Sequence, residues 1–410
     1  MRQVKSLSCG WLFREDFSED YLKFQDPKLF QTVNLPHMNK EIPYNYFDER
    51  MYQFVSTYVR KLDIPPEYQG KRVFVDFEGA MAYAEVFFNG HLVKTHKGGY
   101  TPFSAEITEF LDFAGDNTIV VKLDSTERPD IPPFGNVIDY LTYGGIYRDV
   151  SLRVVSPIYI DNVFAKPKVE AKVATELKTT VFLANGEEKS LQGTINIALY
   201  DHGSLVAQSE QPFYIDAHTK STVDLDIDRA HLTEIKLWDI DDPNLYELRV
   251  SLGVEGKVLD EYAVSIGFRD ADFRTDGFYL NGRKLQVRGL NRHQAFPYVG
   301  YAMPERAQRK DADILKHELR LNAVRTSHYP QSRHFLDRCD EIGLLVFEEI
   351  PGWQHIGGAE WKEVSYTDVR LMIERDWNHP SIIMWGVRIN ESPDDHDFYL
   401  ETNRIRSEER

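Results

Sequence analysis

The chain has 410 residues, 42% hydrophobic and 13% aromatic, with 48 Lys and Arg against 65 Asp and Glu, a formal charge of −17. That length points to two to four domains. The acidic balance disfavours nucleic acid as a partner, and no apolar run approaches the ~20 residues of a membrane span, so no membrane partner is expected.

Residues 1–155 read as all-β. Short apolar or alternating runs recur at 72–77, 84–88, 118–123 and 150–155, separated by turn residues. Asn89-Gly90 between two such runs signals a tight hairpin. A jelly-roll sandwich follows. Ser156-Pro157 marks a boundary, since proline interrupts the preceding strand. Residues 156–270 carry further candidate strands at 180–183, 194–199 and 245–250, a size and spacing that suit an immunoglobulin-like sandwich.

From 271 to 410 strands alternate with helices. The expected strands are 284–290, 323–327, 344–348 and 382–390. The expected helices are 304–320 behind Pro304, 332–341 ending at Gly343, 364–377, and 394–410. Four βα units imply a parallel sheet, the first half of a TIM (β/α)8 barrel that eight would close.

Polar residues gather where each strand ends: Asn291-Arg292-His293, then Arg325-Thr326-Ser327-His328-Tyr329-Pro330, then Glu348-Glu349 with Trp353 and His355, then Asn390-Glu391. In a parallel barrel these ends converge on one face, where barrel enzymes keep their chemistry. Packing alone favours apolar strand ends, so four polar clusters in succession point to a site. Tyr329-Pro330 is a place for a non-trans peptide.

The order Arg-Gly-Leu-Asn-Arg-His (288–293), Asn-Ala-Val-Arg-Thr-Ser-His-Tyr-Pro (322–330), Asn-His-Pro-Ser-Ile-Ile-Met-Trp (378–385) and Asn-Glu-Ser (390–392) resembles glycoside hydrolase family 2, the family of large β-galactosidases and β-glucuronidases. Asn34-Leu35-Pro36-His37 and Tyr143-Gly144-Gly145-Ile146-Tyr147-Arg148-Asp149-Val150 are similar to its jelly-roll signatures. The resemblance implies a retaining hydrolase of terminal β-D-galactosides, with β-glucuronidase as the alternative. It implies that Glu391 is the general acid/base, a role that needs a pKa near working pH through burial or a neighbouring carboxylate. Asn390 would hold the sugar 2-hydroxyl, and His293, Arg325, His328 and His355 would line the sugar site. Asp139 would reach the substrate from a jelly-roll loop. Glu349 is expected as a supporting partner of Arg325.

Two departures from the family pattern stand out. Some members bind magnesium through a glutamate and a histidine two residues later; here the first position is Trp353, which offers no oxygen, so no metal and no cofactor is expected. The family's nucleophile is a glutamate on the seventh barrel strand, expected beyond Arg410. The chain by itself is therefore expected to carry the acid/base half of the site and to be inactive alone. A carbohydrate-binding fragment without activity is the contrasting reading. Cys9 and Cys339, far apart, and the absence of a signal-peptide pattern at Met1-Arg2-Gln3-Val4-Lys5 point to a cytoplasmic protein. A carbohydrate is the expected partner, and a homo-oligomer is left open.

Overall fold

The computed structural model describes residues 1–23, 26–45 and 48–408. The first region packs a four-stranded sheet (Gln3–Ser6, Val150–Val155, Arg72–Phe77, Phe103–Glu106) against a six-stranded one (Gln31–Val33, Trp11–Arg14, Val55–Leu62, Asn117–Asp124, Tyr83–Phe88, His91–Lys97). Period-two alternation makes these layers: Ala84, Val86 and Phe88 point inward while Tyr83, Glu85 and Phe87 do not. The inward set joins Trp11, Tyr58 and Phe77 in one core. The Asn89-Gly90 turn sets Phe88 opposite His91 with both turn residues at positive φ, 49° and 84°.

Val155 still pairs with Arg72, whereas Ile158 pairs with Asn185, so the sheet changes across Ser156-Pro157. The second sandwich sets Ile158–Glu170, Val173–Asn185 and Lys220–Asp228 against Ser204–Ile215, Leu191–Asp201, Tyr246–Val254 and Lys257–Ile266. Leu177, Val181, Ile197 and Leu248 lie in its core.

The third region holds a parallel sheet of four strands in chain order: Gly289–Asn291, Ala323–Thr326, Leu345–Glu349 and Ile382–Gly386. Its inner face borders a cavity of about 350 Å³ lined by Leu290, Arg325, Phe347 and Ile383. Four details differ from expectation. The single strand at 284–290 is two elements, because Asn281-Gly282 forms a second tight hairpin, φ 51° and 70°, that pairs Arg283–Leu285 back onto Gly277–Leu280. The first helix is α-helical over Glu305–Asp313 and then widens into a π-turn over Ile314–Glu318, where the Leu319 amide donates to the Ile314 carbonyl at 2.9 Å. The third helix begins at Ala359, five residues early, because buried Trp361 docks on the jelly roll, its Nε1 donating to the Phe134 carbonyl at 3.0 Å. The fourth strand stops at Gly386, whose carbonyl accepts from the Ile350 amide at 3.0 Å, and beyond it the chain pairs again only in an isolated parallel bridge between Trp353 and Asn390. The second helix, Arg333–Ile342, ends on Gly343 in the left-handed region, φ 71°. The last described helix is His396–Glu408.

Jelly roll and barrel share a tyrosine cluster. Tyr100 stacks on Tyr329 with centroids 4.4 Å apart and planes 8° apart, and its hydroxyl lies 3.2 Å from that of Tyr301. Buried Arg148 donates to the Tyr100 carbonyl at 3.0 Å, the Pro330 carbonyl at 2.6 Å and Gln294 Oε1 at 3.2 Å. Burial lowers its pKa, a cost met by these acceptors. Among the described residues, no helix is long and apolar enough to cross a membrane.

Candidate active site

The polar strand ends meet around Glu349. Register decides which of the two adjacent glutamates faces the site, since neighbours on a strand point to opposite faces. Glu348 points away. It accepts from the Gln331 amide at 3.1 Å and lies 3.4 Å from Arg375, and burial beside Asp376 raises its pKa well above the carboxylate range. Glu349 is 4% exposed and points into the site. Its Oε1 accepts from Arg325 Nε, and its Oε2 lies 2.9 Å from His328 Nδ1. Both oxygens of this buried carboxylate are thus matched to positive or proton-bearing groups, the condition for keeping a charge in low dielectric. Its own amide donates to Thr326 Oγ1 at 3.2 Å, which ties the second and third strands together at this point.

Arg325 extends the network to the fourth strand: its Nη2 donates to Asn390 Oδ1 at 2.8 Å. That bond assigns the amide orientation, with Oδ1 as acceptor and Nδ2 as the donor end. Glu391 follows at positive φ, 54°, and is exposed. Its Oε2 accepts from Gln354 Nε2 at 2.8 Å. Neither burial nor a carboxylate partner surrounds it among the described residues, so the environment expected of a general acid is not supplied by this part of the fold. The reason is geometric, since Glu391 lies five residues past the end of the fourth strand at Gly386, on an irregular segment.

The opposite wall comes from His293 and the jelly roll. His293 Nδ1 lies 3.2 Å from the Tyr329 hydroxyl, and its ring is 5.8 Å from that of His328 and 5.2 Å from that of Tyr140. Desolvation lowers its pKa, and the proximity of His328 adds to this, favouring a neutral ring that can accept as well as donate. Asp139 is exposed beside Tyr140, and its charge acts on His293 in the opposite sense. The Asp139 loop is therefore brought to the barrel face. His355 is turned away from this network. Its ring lies against the backbone of Gly135, where an added Cβ would come within 2.4 Å of Nε2, and 6.0 Å from the Trp361 ring. The cis peptide falls at Ser327–His328 rather than at Tyr329-Pro330.

Trp353 occupies the position where magnesium would need an oxygen. Its ring lies 5.0 Å from that of His328, so this residue forms a wall and does not fit as a ligand. Among the described residues, no group of three or more His, Cys, Asp and Glu side chains is placed to hold a metal. Sequence reasoning passed over Gln354, Tyr140 and Thr326, whose contacts depend on backbone conformation or on register rather than on a motif.

Residues 23–157 match the family described as glycosyl hydrolases family 2, sugar binding domain. Residues 158–269 match glycosyl hydrolases family 2, and residues 272–407 match its TIM barrel domain. The β-galactosidase of Thermoanaerobacterium thermosulfurigenes is 52% identical over 410 residues, which cover 100% of this chain and 57% of that protein. The β-galactosidase of Thermoanaerobacter pseudethanolicus is 48% identical over 408 residues, covering 98% and 54%. The crystal structure of Bacteroides uniformis β-glucuronidase superposes with a TM-score of 0.90 at 27% identity, covering 100% of this chain and 52% of that one. The chain thus spans a little over half the length of the relatives it matches.

Proposed function

Because this chain belongs to glycosyl hydrolase family 2, we propose that it carries the acid/base half of a retaining β-glycosidase that removes terminal β-D-galactose. The observation that carries this reading is the Arg325 guanidinium, which clamps Glu349 on one side and Asn390 on the other and so sets Asn390-Glu391 at the mouth of the parallel sheet. In this reading Glu391 protonates the glycosidic oxygen as the bond breaks and later takes a proton from the attacking water. Asn390 Nδ2 donates to the sugar 2-hydroxyl, a bond that strengthens as charge develops on the ring. Glu349 is an anchor and not the nucleophile, since Arg325 and His328 occupy both of its oxygens. His293, His328 and Asp139 line the sugar site, with Trp353 as a ring wall. His355 holds the jelly-roll loop.

In this reading the nucleophile lies beyond Arg410, in the part of the relatives that this chain does not span. A polypeptide of residues 1–410 expressed alone should then show no turnover, and a stoichiometric covalent adduct with a fluorosugar inactivator on it would overturn this division of the site. Galactoside is favoured over glucuronide because the two β-galactosidase relatives share 52% and 48% identity, against 32% for a putative β-glucuronidase and 30% for a β-glucuronidase. The free thiols, with Cys9 exposed, fit a reducing cytoplasm.

The test is Glu391→Gln in the full-length enzyme, assayed on β-galactosides and β-glucuronides. Loss of acid catalysis should slow hydrolysis of natural disaccharides about 10²–10⁴-fold and should spare aryl glycosides with good leaving groups in the glycosylation step. Wild-type rates on disaccharides would refute the assignment. Faster wild-type hydrolysis of glucuronides would reverse the choice of sugar.

A further inference from the structure

We propose that Gln354 is the positioning residue of the acid/base carboxylate, an inference that rests on the role assigned to Glu391. Glu391 is an exposed side chain on an irregular segment, and nothing in its own strand fixes its rotamer. A free glutamate there would spread over several χ states, whereas proton transfer needs one oxygen held within ~0.5 Å of its working place. Gln354 supplies the constraint at two levels. Its backbone amide donates to the Asn390 carbonyl at 2.9 Å, beside a parallel bridge between Trp353 and Asn390 that resumes the sheet beyond the strand ends. Its side-chain Nε2 donates to Glu391 Oε2 at 2.8 Å. Gln354 and Glu391 both adopt positive φ, 50° and 54°, so two left-handed residues on adjacent loops aim their side chains at each other. With Oε2 held, Oε1 is the oxygen left for the substrate.

The side chain is separable from the loop. The backbone bond to Asn390 would secure the loop without it, so the amide has a role that a leucine of similar size leaves unfilled. The charged and titratable groups on the neighbouring elements are Arg325, Glu349 and His328 behind Asn390, His355 on the Gln354 loop, and the Arg388–Asp394 pair on the segment of Glu391 itself. Of these groups, none forms a direct hydrogen bond to the Glu391 carboxylate among the described residues.

The experiment compares Gln354→Leu and Gln354→Glu with wild type in the full-length enzyme. It reads kcat/KM across aryl β-galactosides of graded leaving-group ability. Gln354→Leu should lower kcat/KM about tenfold for poor leaving groups and leave the best ones unchanged, a split that only impaired acid catalysis produces. Gln354→Glu, which keeps the length but offers no amide donor to Oε2, should show the same split. Equal loss on all leaving groups would overturn the proposal and leave Gln354 a structural loop residue. If Glu391→Gln itself shows no dependence on leaving group, the role of Glu391 fails instead, and the two failures are distinguishable.

Discussion

Replacing Asp368 with asparagine should stabilise the protein at neutral and alkaline pH and leave it unchanged in acid. Asp368 lies on the third barrel helix, 1% exposed, and accepts from Thr101 Oγ1 of the jelly roll at 2.8 Å through Oδ1. Its Oδ2 is buried and has no partner among the described residues. Burial pushes its pKa up from 3.8 to about 7, with the Thr101 bond opposing. The neutral acid is therefore favoured in the folded state, and stability present below the unfolded pKa of 3.8 is lost as pH rises through about 7. A rise of roughly three units at 1.36 kcal/mol each gives about 4 kcal/mol. Asparagine keeps the Thr101 acceptor and cannot ionise, so it removes the penalty. Scanning calorimetry from pH 4 to pH 9 should show a Tm gap near zero at pH 4, widening to pH 7 and flat above, about 5 °C at pH 8 for a chain of this length. A gap that does not change with pH, or a variant less stable at pH 8, would refute the reasoning.

His96 should respond in the opposite direction. It is buried against Phe103, ring centroids 4.3 Å apart, and burial lowers its pKa from 6.5 to about 3. Wild-type stability should therefore fall as pH drops from 6.5 toward 3, and His96→Phe should abolish that part of the acid sensitivity, as read by denaturant midpoints at pH 4 and pH 7. Glu349→Gln preserves volume but leaves Arg325 and His328 without their anionic partner. It should lower kcat/KM of the full-length enzyme roughly 10²-fold while circular dichroism stays unchanged, and undiminished kcat/KM would remove Glu349 from its anchoring role.

The strand ends were the legible part of the chain. Buried parallel strands read as apolar runs, and a run that breaks into Asn291-Arg292-His293 or Asn390-Glu391 shows where the barrel face begins. Glu349 rather than Glu348 was expected beside Arg325, and the physical ground for that choice, the register of the third strand against the second, becomes visible only in the structure. Asn281-Gly282 carried the same hairpin signal as Asn89-Gly90 and went unread because the helical pattern beyond it drew the strand forward. Gln354 was out of reach for a different reason: its contact exists only because two residues take positive φ, a property that glutamine and glutamate do not advertise. Tyr100, Tyr140 and Tyr329 meet across some 190 to 230 residues of chain, roughly, and no local pattern reports such a distance.

The shared tyrosine cluster bears on how such enzymes can be recombined. Tyr100, Tyr140 and Arg148 come from the jelly roll, Gln294, Tyr301 and Tyr329 from the barrel, and together they form one buried seam that also carries the Asp139 loop. A chimera that transplants a foreign jelly roll onto this barrel would have to bring the matching half of that seam with it. Without Arg148, the Pro330 carbonyl and Gln294 lose their donor, and the loop bearing Asp139 loses the bed that aligns it. Interchangeable parts, in this architecture, are cut along the seam and not along the linker.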